Sequence, residues 1–428
     1  MQEILIYLVR ASIYQYINRS TSEQSKKLLA TLLLSPSGKD IVIQRQEAAK
    51  NLEPHLEWRQ ELQSAGMANP LTFSTENRIT SWLNMPAPFK QKFWQFLPFV
   101  FTAITLASLG AYLLDWINSS VFTLLVFIYF LIAKYTSSKV HKTYMALSKI
   151  EPEVNTIQQQ LKQVENIPAA SSLLQSYKST FVSEKNGSES IKDLKEILNR
   201  FDFRLNVFVF LFLNTFLLWD VRQVNSLNKW KEKNAGSVPE WFTILANVEV
   251  LNTLATLTFN HPGWVFPNIN DHHFKMEGEE IGHPLINPDK RVANSFTTDG
   301  TGKISIITGS NMAGKSTFLR SIAVNLVLAQ IGAPVCAKAF TFSPVKLYSS
   351  MRIADNLAEN TSTFYAELKK LKSIIDQVKH HEKIFILLDE ILRGTNSLDR
   401  HTGSEALIRQ LIREQAAAVI ATHDVGLS

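Results

Sequence analysis

The sequence contains one cysteine, Cys336, in 428 residues, so no disulfide can form within the chain. No Cys/His spacing typical of zinc sites occurs, which excludes a disulfide scaffold and a thiolate metal site and favours a reducing compartment. Glycine and proline are not in excess, at 16 and 15 residues, which excludes collagen and low-complexity chains. We therefore expect a globular chain whose length indicates two or three domains.

The chain also lacks a concentrated charge of one sign. Its net charge of +6 comes from 44 basic and 38 acidic residues. The largest regional excess is +3, over residues 1–92, which hold 11 basic and 8 acidic residues. Because a nucleic-acid-binding domain normally shows clustered Lys and Arg, charge alone favours a solvated surface of mixed sign.

Long hydrophobic runs are present in the first half. Residues 93–114 contain no charged side chain, and at about 1.5 Å per residue they are long enough to cross a hydrocarbon core of about 30 Å. A short polar break at 115–120 separates them from a second apolar run, 121–133. This pattern predicts a transmembrane helical hairpin over 93–135, and a hairpin buried in a soluble core is the alternative.

Lysines flank this predicted hairpin on both outer sides. They are Lys90 and Lys92 before it and Lys134, Lys139 and Lys142 after it. The bias of positive charge toward the inner face of membranes places both flanks in the cytoplasm. We therefore expect an integral protein of the cytoplasmic membrane, with the C-terminal region facing the cytoplasm.

A third apolar stretch, 205–219, contains Asn206 and Asn214 and is only 15 residues long. Counting it as a span would place the C-terminal region outside the cell. Because the motifs of that region, described below, require ATP, we interpret the stretch as a core or membrane-surface helix. Around it, apolar residues three and four positions apart predict amphipathic helices. Composition thus divides the chain into helical regions at 1–92 and 136–240, the hairpin at 93–135 and a C-terminal domain at 241–428.

The chemistry is concentrated in the C-terminal domain. A buried-strand pattern at 303–308 leads directly into the glycine-containing loop GSNMAGKS, 309–316, which a helical pattern follows. Such a loop lets backbone N–H groups and the helix N-terminus bind phosphates, with Lys315 between the β- and γ-phosphates. The predicted ATP-binding residues form one continuous segment: Gly309, Ser310, Asn311, Met312, Ala313, Gly314, Lys315, Ser316 and Thr317.

Two further apolar strand patterns end in polar side chains. Residues 383–388 lead into Asp389 and Glu390, and residues 416–422 lead into His423. Parallel strands deliver their carboxyl ends to one crevice, so these groups should meet the phosphate loop. We predict that Ser316 and Asp389 hold Mg²⁺, that Glu390 polarises the attacking water and that His423 senses the γ-phosphate.

Four segments of this domain together resemble the ATPase domain of the MutS mismatch-repair family. They are GSNMAGKSTFLR at 309–320, ENTSTFYAEL at 359–368, LLDEILRGTNSLDR at 387–400 and ATHD at 421–424. Residues 281–286 and 14–52 are similar to further parts of that family. The resemblance implies an α/β P-loop NTPase fold of the ABC-ATPase type, preceded by a mainly α-helical lever region.

The resemblance also implies partners. In the family the ATP site is composite, and a serine reaches the γ-phosphate bound by the other subunit of a dimer. The matching residues are Ser362 and Thr363, although within one chain Ser362 could instead cap a helix. Arg393 to Asn396, with Asp399, match the loop between the two nucleotides. DNA, mismatched or branched, is the implied partner.

The sequence departs from the family pattern at several points. Ala313 replaces a glycine, and Arg291 occupies the position of an adenine-stacking aromatic residue. No segment before residue 14 corresponds to a mismatch-reading domain, and the sequence stops shortly after His423. From this pattern we expect a partial version of the family architecture.

Two functional interpretations follow. The first is a membrane-anchored MutS-like ATPase that hydrolyses ATP, closes a homodimer and moves its helical levers on DNA. The alternative keeps the ATPase but replaces DNA by a protein or membrane partner, as in an ABC-like mechanical switch. An ABC transporter is disfavoured because no LSGGQ segment precedes the strand at 383–388.

Overall fold

The computed structural model describes residues 12–89, 91–147, 150–182, 187–310, 313–350, 363–380, 383–392 and 395–427. The helices in these ranges are α1 (Ile13–Ile17), α2 (Glu23–Leu34), α3 (Lys39–Leu52), α4 (Leu56–Ala68), α5 (Phe73–Asn84), α6 (Phe93–Leu113), α7 (Ser119–Leu147), α8 (Glu151–Glu165), α9 (Ser172–Val182), α10 (Gly187–Phe201), α11 (Val207–Leu217), α12 (Trp219–Asn234), α13 (Val238–Asn260), α14 (Lys315–Ile331), α15 (Thr363–Lys379) and α16 (Ser397–Arg413). The strands are β1 (Asn268–Ile269), β2 (Lys275–Ile281), β3 (Asn294–Asp299), β4 (Ile304–Thr308), β5 (Ala339–Phe342), β6 (Lys346–Ser350), β7 (Ile384–Asp389) and β8 (Ala417–Thr422). The expected order, a helical region followed by an α/β region, is therefore confirmed.

The helices α6 and α7 form the predicted hairpin as a pair of adjacent helices. Phe101 and Tyr129 stack edge to face across it, with ring centroids 5.4 Å apart. Only 17% of the most apolar window of each helix is buried, against 72% for α13. The alternative of a hairpin buried in the core of this chain is therefore wrong for the described residues.

The second hairpin helix is longer than the sequence indicated. The apolar run ends at Ala133, but α7 continues to Leu147. The continuation is possible because residues 134–147 contain neither proline nor glycine and keep an apolar stripe that includes Val140 and Leu147, which are buried. The helix therefore connects the exposed hairpin to the helical core.

The third apolar stretch is not one helix. A 3₁₀ turn, Asp202–Leu205, precedes α11, and α11 and α12 meet at an angle of 80° at Leu218, which has a left-handed φ of 48°. The bend leaves carbonyl groups without helical partners. Those of Phe216 and Leu217 accept hydrogen bonds from Thr105 Oγ1 (3.0 Å) and Arg222 Nε (2.9 Å). The break is therefore stabilised by polar side chains from α6 and α12.

The α/β region contains two four-stranded sheets. One is mixed, with the order β1-β5-β2-β3, and the other is parallel, with the order β4-β8-β7-β6. Helix α14 packs against the parallel sheet, and its residues from Leu319 to Ile331 are almost all buried. The parallel sheet carries the predicted chemistry at its carboxyl edge.

Helix α13 joins the helical and α/β regions. Its first half, including Trp241 and Leu245, lies in the apolar core of the helical region. Its second half, including Val250 and Leu254, packs into the core that also contains α14 and the strands. One continuous helix thus belongs to both cores.

Candidate functional site

The register of the parallel sheet brings three sequence-distant segments to one edge. Thr308 at the end of β4 pairs with Thr422 at the end of β8, and Ala421 pairs with Asp389 at the end of β7. The residues that follow these strand ends are Gly309, His423 and Glu390. They therefore emerge side by side at the carboxyl edge, as predicted.

The loop after β4 turns sharply into α14. Gly314 has a left-handed φ of +85°, a conformation that residues with a Cβ rarely adopt, and it immediately precedes the helix. Lys315, Ser316 and Thr317 occupy the first turn of α14, the part of a helix whose backbone N–H groups have no partner within the helix. Ser310 and Ala313 flank the turn, while Asn311 and Met312 lie outside the described residues.

Lys315 is held inside the loop. Only 9% of the residue is exposed, and its ammonium donates to the carbonyl oxygens of Gly309 (2.8 Å) and Ser310 (2.9 Å). It also lies 3.3 Å from His423 Nδ1. These contacts fix a positive charge where a phosphate bound by the loop would lie.

Glu390 and His423 form a second contact at the same edge. His423 Nε2 contacts a carboxylate oxygen of Glu390, while Nδ1 lies 3.0 Å from the Gly309 carbonyl. A proton on Nε2 lets the imidazole donate to Glu390 while Nδ1 accepts from Lys315. Loop lysine, imidazole and carboxylate are thus one connected series.

The backbone around Glu390 is strained. Glu390 and Leu392 both have left-handed φ values, 51° and 58°. The Glu390 N–H donates to the Ala421 carbonyl (2.8 Å), and the Leu392 N–H donates to Glu367 Oε1 (2.7 Å). Strain of this kind persists only where neighbouring groups stabilise it. Glu367 stabilises the backbone at Leu392 through this hydrogen bond, a role that the sequence did not reveal.

Asp389 offers a buried oxygen for a cation. The residue is 6% exposed, and among the described residues its Oδ1 has no hydrogen-bond partner. An unpaired buried carboxylate oxygen is costly, and a hydrated Mg²⁺ would satisfy it. Asp389, with Ser316 on the first turn of α14, therefore fits the predicted cation site.

A second histidine–carboxylate pair lies beside this series. His401 Nδ1 is 2.7 Å from Asp424 Oδ2, and this hydrogen bond is the main reason that the pKa of Asp424 is below its ordinary value. Both residues line a cavity of ≈ 480 Å³ together with Glu390 and His423. No short sequence pattern predicts this pair, because 23 residues separate its members.

The residues predicted to act across a dimer are less fully placed. Ser362, Arg393 and Gly394 lie outside the described residues, and Thr363 begins α15. Asn396 caps α16 by accepting from the Asp399 N–H (2.9 Å), and its amide donates to the Asp399 carboxylate (2.8 Å). This end of the loop is therefore rigidly tied to the helix.

Arg291 is engaged within the fold. Its guanidinium donates to the Ile286 carbonyl (2.8 Å from Nη2) and to Cys336 Sγ (3.0 Å from Nη1), and its stem packs on Gly282. These contacts hold the side chain against Gly282 and Ile286, which precede the glycine-containing loop, and against Cys336, which follows it. The sequence position matched a base-stacking residue, but the observed contacts are with protein groups.

A parallel sheet that gathers a glycine-containing loop, a lysine and acidic strand ends at one edge defines an α/β domain with a polar site. Comparison with known proteins places this domain: residues 305–428 match the family model of MutS domain V. The chain is similar to the DNA mismatch repair protein MutS of Ehrlichia chaffeensis, with 33% identity over 43% of this chain and 23% of that protein. The chain is also similar to MutS of Granulibacter bethesdensis, with 32% identity over 47% of this chain and 22% of that protein. A further match is MutS of Leptospira interrogans, with 34% identity over 38% of this chain and 20% of that protein.

These matches confirm the resemblance to the MutS family in the C-terminal part of the chain. The chain spans about a fifth of the length of these curated relatives, between 20% and 23% in the three cases. What the relatives do as whole proteins therefore does not transfer directly to this chain.

Proposed function

We propose that this protein is a membrane-anchored, MutS-like ATPase. The observation that carries the proposal is the convergence of Lys315, His423 and Glu390 beside the buried Asp389 at one sheet edge. The glycine-containing loop would bind the ATP phosphates through its backbone N–H groups, and Lys315 would neutralise their charge. When bound at Ser316 and Asp389, Mg²⁺ would supply additional stabilisation of phosphate charge.

In this proposal Glu390 orients the water that attacks the γ-phosphate and accepts its proton. Its position is held by the Nε2 contact of His423 and by the backbone bond to Ala421. His423 is therefore a positioning residue that links the glycine-containing loop, through the Lys315 ammonium, to the carboxylate. The carboxylate acts on water only when this imidazole is correctly placed.

The proposal includes a homodimer and DNA by similarity to MutS. ATP would close two domains against each other, with Ser362 and Thr363 reaching the partner's nucleotide. Helix α13, which belongs to both cores, would carry this movement to the helical region. Affinity for matched, mismatched and branched duplexes, measured against salt, tests the DNA step, because a phosphate-dependent interaction weakens with a definite slope. A Kd independent of salt, or no binding, would remove DNA from the proposal.

Membrane anchoring is supported by the exposed hairpin α6–α7. Helices α6 and α7 are long and apolar enough to cross a membrane. The bent pair α11–α12, taken as one segment, meets the same criteria of length and composition. Because α11 and α12 meet at 80° and do not form one straight span, we propose that α11 enters the bilayer without crossing it, which would leave the α/β domain on the cytoplasmic side. Resistance of the full chain to alkaline extraction from membranes tests this step, and release into the soluble fraction would refute it.

A second candidate function keeps the ATPase and the membrane but has no DNA. The mixed surface charge, without a basic stripe, favours it. Here the ATPase would act on a protein or membrane partner through the same levers. ATPase activity that duplex DNA does not change would favour this candidate.

A further inference from the structure

A cavity at the base of the hairpin belongs to none of the chemistry above. It has a volume of ≈ 400 Å³ and lies between α7, α11 and the 3₁₀ turn Asp202–Leu205. Its lining combines polar and cationic groups with apolar side chains, namely Lys134, Ser137, His141, Arg204, Phe210 and Leu211. The described residues that line it include no aspartate or glutamate.

Arg204 is the central cationic group of this cavity. Its side chain is 12% exposed, and its Nη2 donates to Ser137 Oγ at 3.0 Å. Its Nε lies 3.5 Å from the buried Asp220 carboxylate, and its guanidinium lies over the Tyr144 ring at 4.9 Å. These contacts fix the plane of the guanidinium.

One donor of Arg204 is left over. Among the described residues, the buried Nη1 has no hydrogen-bond partner. A buried, unpaired guanidinium N–H is costly, and an anionic oxygen is its strongest partner. Lys134, which is exposed at the rim, adds a second positive charge.

The cavity lies where the apolar surface of the hairpin ends. Tyr135, Trp94 and Lys139 mark this level, with the Lys139 ammonium 4.5 Å from the Tyr135 ring centre and 5.9 Å from that of Trp94. Aromatic and lysine side chains of this kind are typical of the membrane–water interface. Next to the cavity, α11 exposes Phe208 and Phe212, at 86% and 62%.

We propose that this cavity binds the phosphate headgroup of an anionic phospholipid, with Arg204 and Lys134 on the phosphate and the acyl chains along the apolar surface of α11. This inference depends on the proposed membrane insertion. It assigns the cavity a ligand of defined chemistry, because Arg204 and Lys134 lie next to the exposed apolar side chains of α11 at the end of the apolar band. A free phosphate ion would use the basic groups but not α11.

The full-length chain in nanodiscs of phosphatidylcholine, with increasing phosphatidylglycerol of the same acyl chains, provides the test. Native mass spectrometry of lipid released with the protein should show a preference for phosphatidylglycerol. The Lys134→Gln variant should weaken this preference about fivefold, as expected for one interfacial lysine. Lys139→Gln removes the same charge five residues away, outside the cavity lining, and should weaken the preference less than Lys134→Gln does.

Arg204→Gln should abolish the preference, but it also leaves Asp220 unpaired, so Lys134→Gln is the decisive variant. Equal retention of both lipids by the wild type, or equal losses in the two lysine variants, would overturn the inference. Competition by millimolar inorganic phosphate would assign the cavity to a free anion and would equally overturn it. If the wild type fails to enter neutral phosphatidylcholine nanodiscs, the membrane proposal itself fails; if it enters without lipid preference, only this inference fails.

Discussion

The imidazole of His423 contacts the Glu390 carboxylate through Nε2 while its Nδ1 lies 3.3 Å from the Lys315 ammonium. The cation that would hold phosphate and the carboxylate that would activate water are therefore separated by a single side chain. A shift of the glycine-containing loop that moves Lys315 would therefore reach Glu390 through this ring. The first two predictions follow from this relationship.

Lys315→Ala should weaken ATP binding about ten- to a hundredfold, because a charge-assisted hydrogen bond contributes about 1.5–3 kcal/mol. Isothermal titration with a non-hydrolysable ATP analogue measures the effect. Lys338→Ala, which removes an exposed lysine paired with Glu280, is the matched control and should bind normally. Unchanged affinity in Lys315→Ala would refute the assignment of the loop to nucleotide binding.

Glu390→Gln should reduce ATP turnover by about a hundredfold or more, since removal of a positioned general base typically costs this much. ATP affinity should remain, because the amide preserves the shape of the side chain. Steady-state phosphate release, compared with analogue binding, separates the two effects. The control is Glu405→Gln, a half-exposed residue paired with Arg409, and turnover equal to wild type in both variants would exclude Glu390 from catalysis.

The histidine–carboxylate pair at His401 and Asp424 should respond to acid. Because the folded state lowers the pKa of Asp424, the pair contributes stability above the ordinary carboxyl pKa of about 3.9 and loses it as pH falls through the lowered value. His401→Leu should raise the pKa of Asp424 toward the ordinary value, as a carboxyl ¹³C titration would show. The exposed His380→Leu is the control, and an unmoved Asp424 titration in His401→Leu would contradict the assigned cause.

A buried carboxylate should stabilise the junction of the helical and α/β regions. Glu249 on α13 accepts hydrogen bonds from the backbone and hydroxyl groups of Thr21 and Ser22 and from the Gln160 amide. Glu249→Ala leaves these buried donors unpaired, so we expect a loss of at least about 3 kcal/mol in the free energy of unfolding. Denaturant titration measures this loss. The control is Glu240→Ala, a change at an exposed position on the same helix, which should cost less than about 1 kcal/mol. Equal losses in the two variants would argue against the network.

A charged side chain in the apolar surface of the hairpin should make membrane insertion less favourable. Leu106, 61% exposed on α6, would face lipid in the proposed membrane, so Leu106→Arg should oppose insertion by about 2.5–3.5 kcal/mol. Leu398→Arg places the same change at a residue that is 74% exposed on α16 and should have no such effect. The fraction of each variant that resists alkaline extraction is the readout, and two equal fractions would count against insertion.

Local patterns were sufficient to predict the elements that form the site. The apolar runs before Gly309, Asp389 and His423 are short and continuous, and each one became a strand of the parallel sheet. The strands β7 and β8 are fully buried as their patterns predict, whereas β4, at the edge of the sheet, is only partly buried. The hairpin was predictable for the same reason, since an uncharged apolar run longer than 20 residues is typical of a helix with the length and composition of a membrane span.

Long-range contacts could not be predicted in this way. The mixed sheet depends on pairing Met276 with Phe342, which are far apart in sequence, and no short pattern specifies that register. The bond from Leu392 to Glu367 and the network around Glu249 likewise join groups that only the fold brings together. The bend at Leu218 depends on side chains from α6, so the sequence of α11 alone could not reveal it.

Helix α13 has a mechanical consequence. Its 23 residues make a rod about 35 Å long, whose N-terminal part lies in the core of the helical region and whose C-terminal part contacts both cores. A tilt of a few degrees at its C-terminal end would therefore become a displacement of a few ångströms at its N-terminal end, without any hinge inside the rod. Stiffness, rather than flexibility, is what would let a small local rearrangement be felt at a distance.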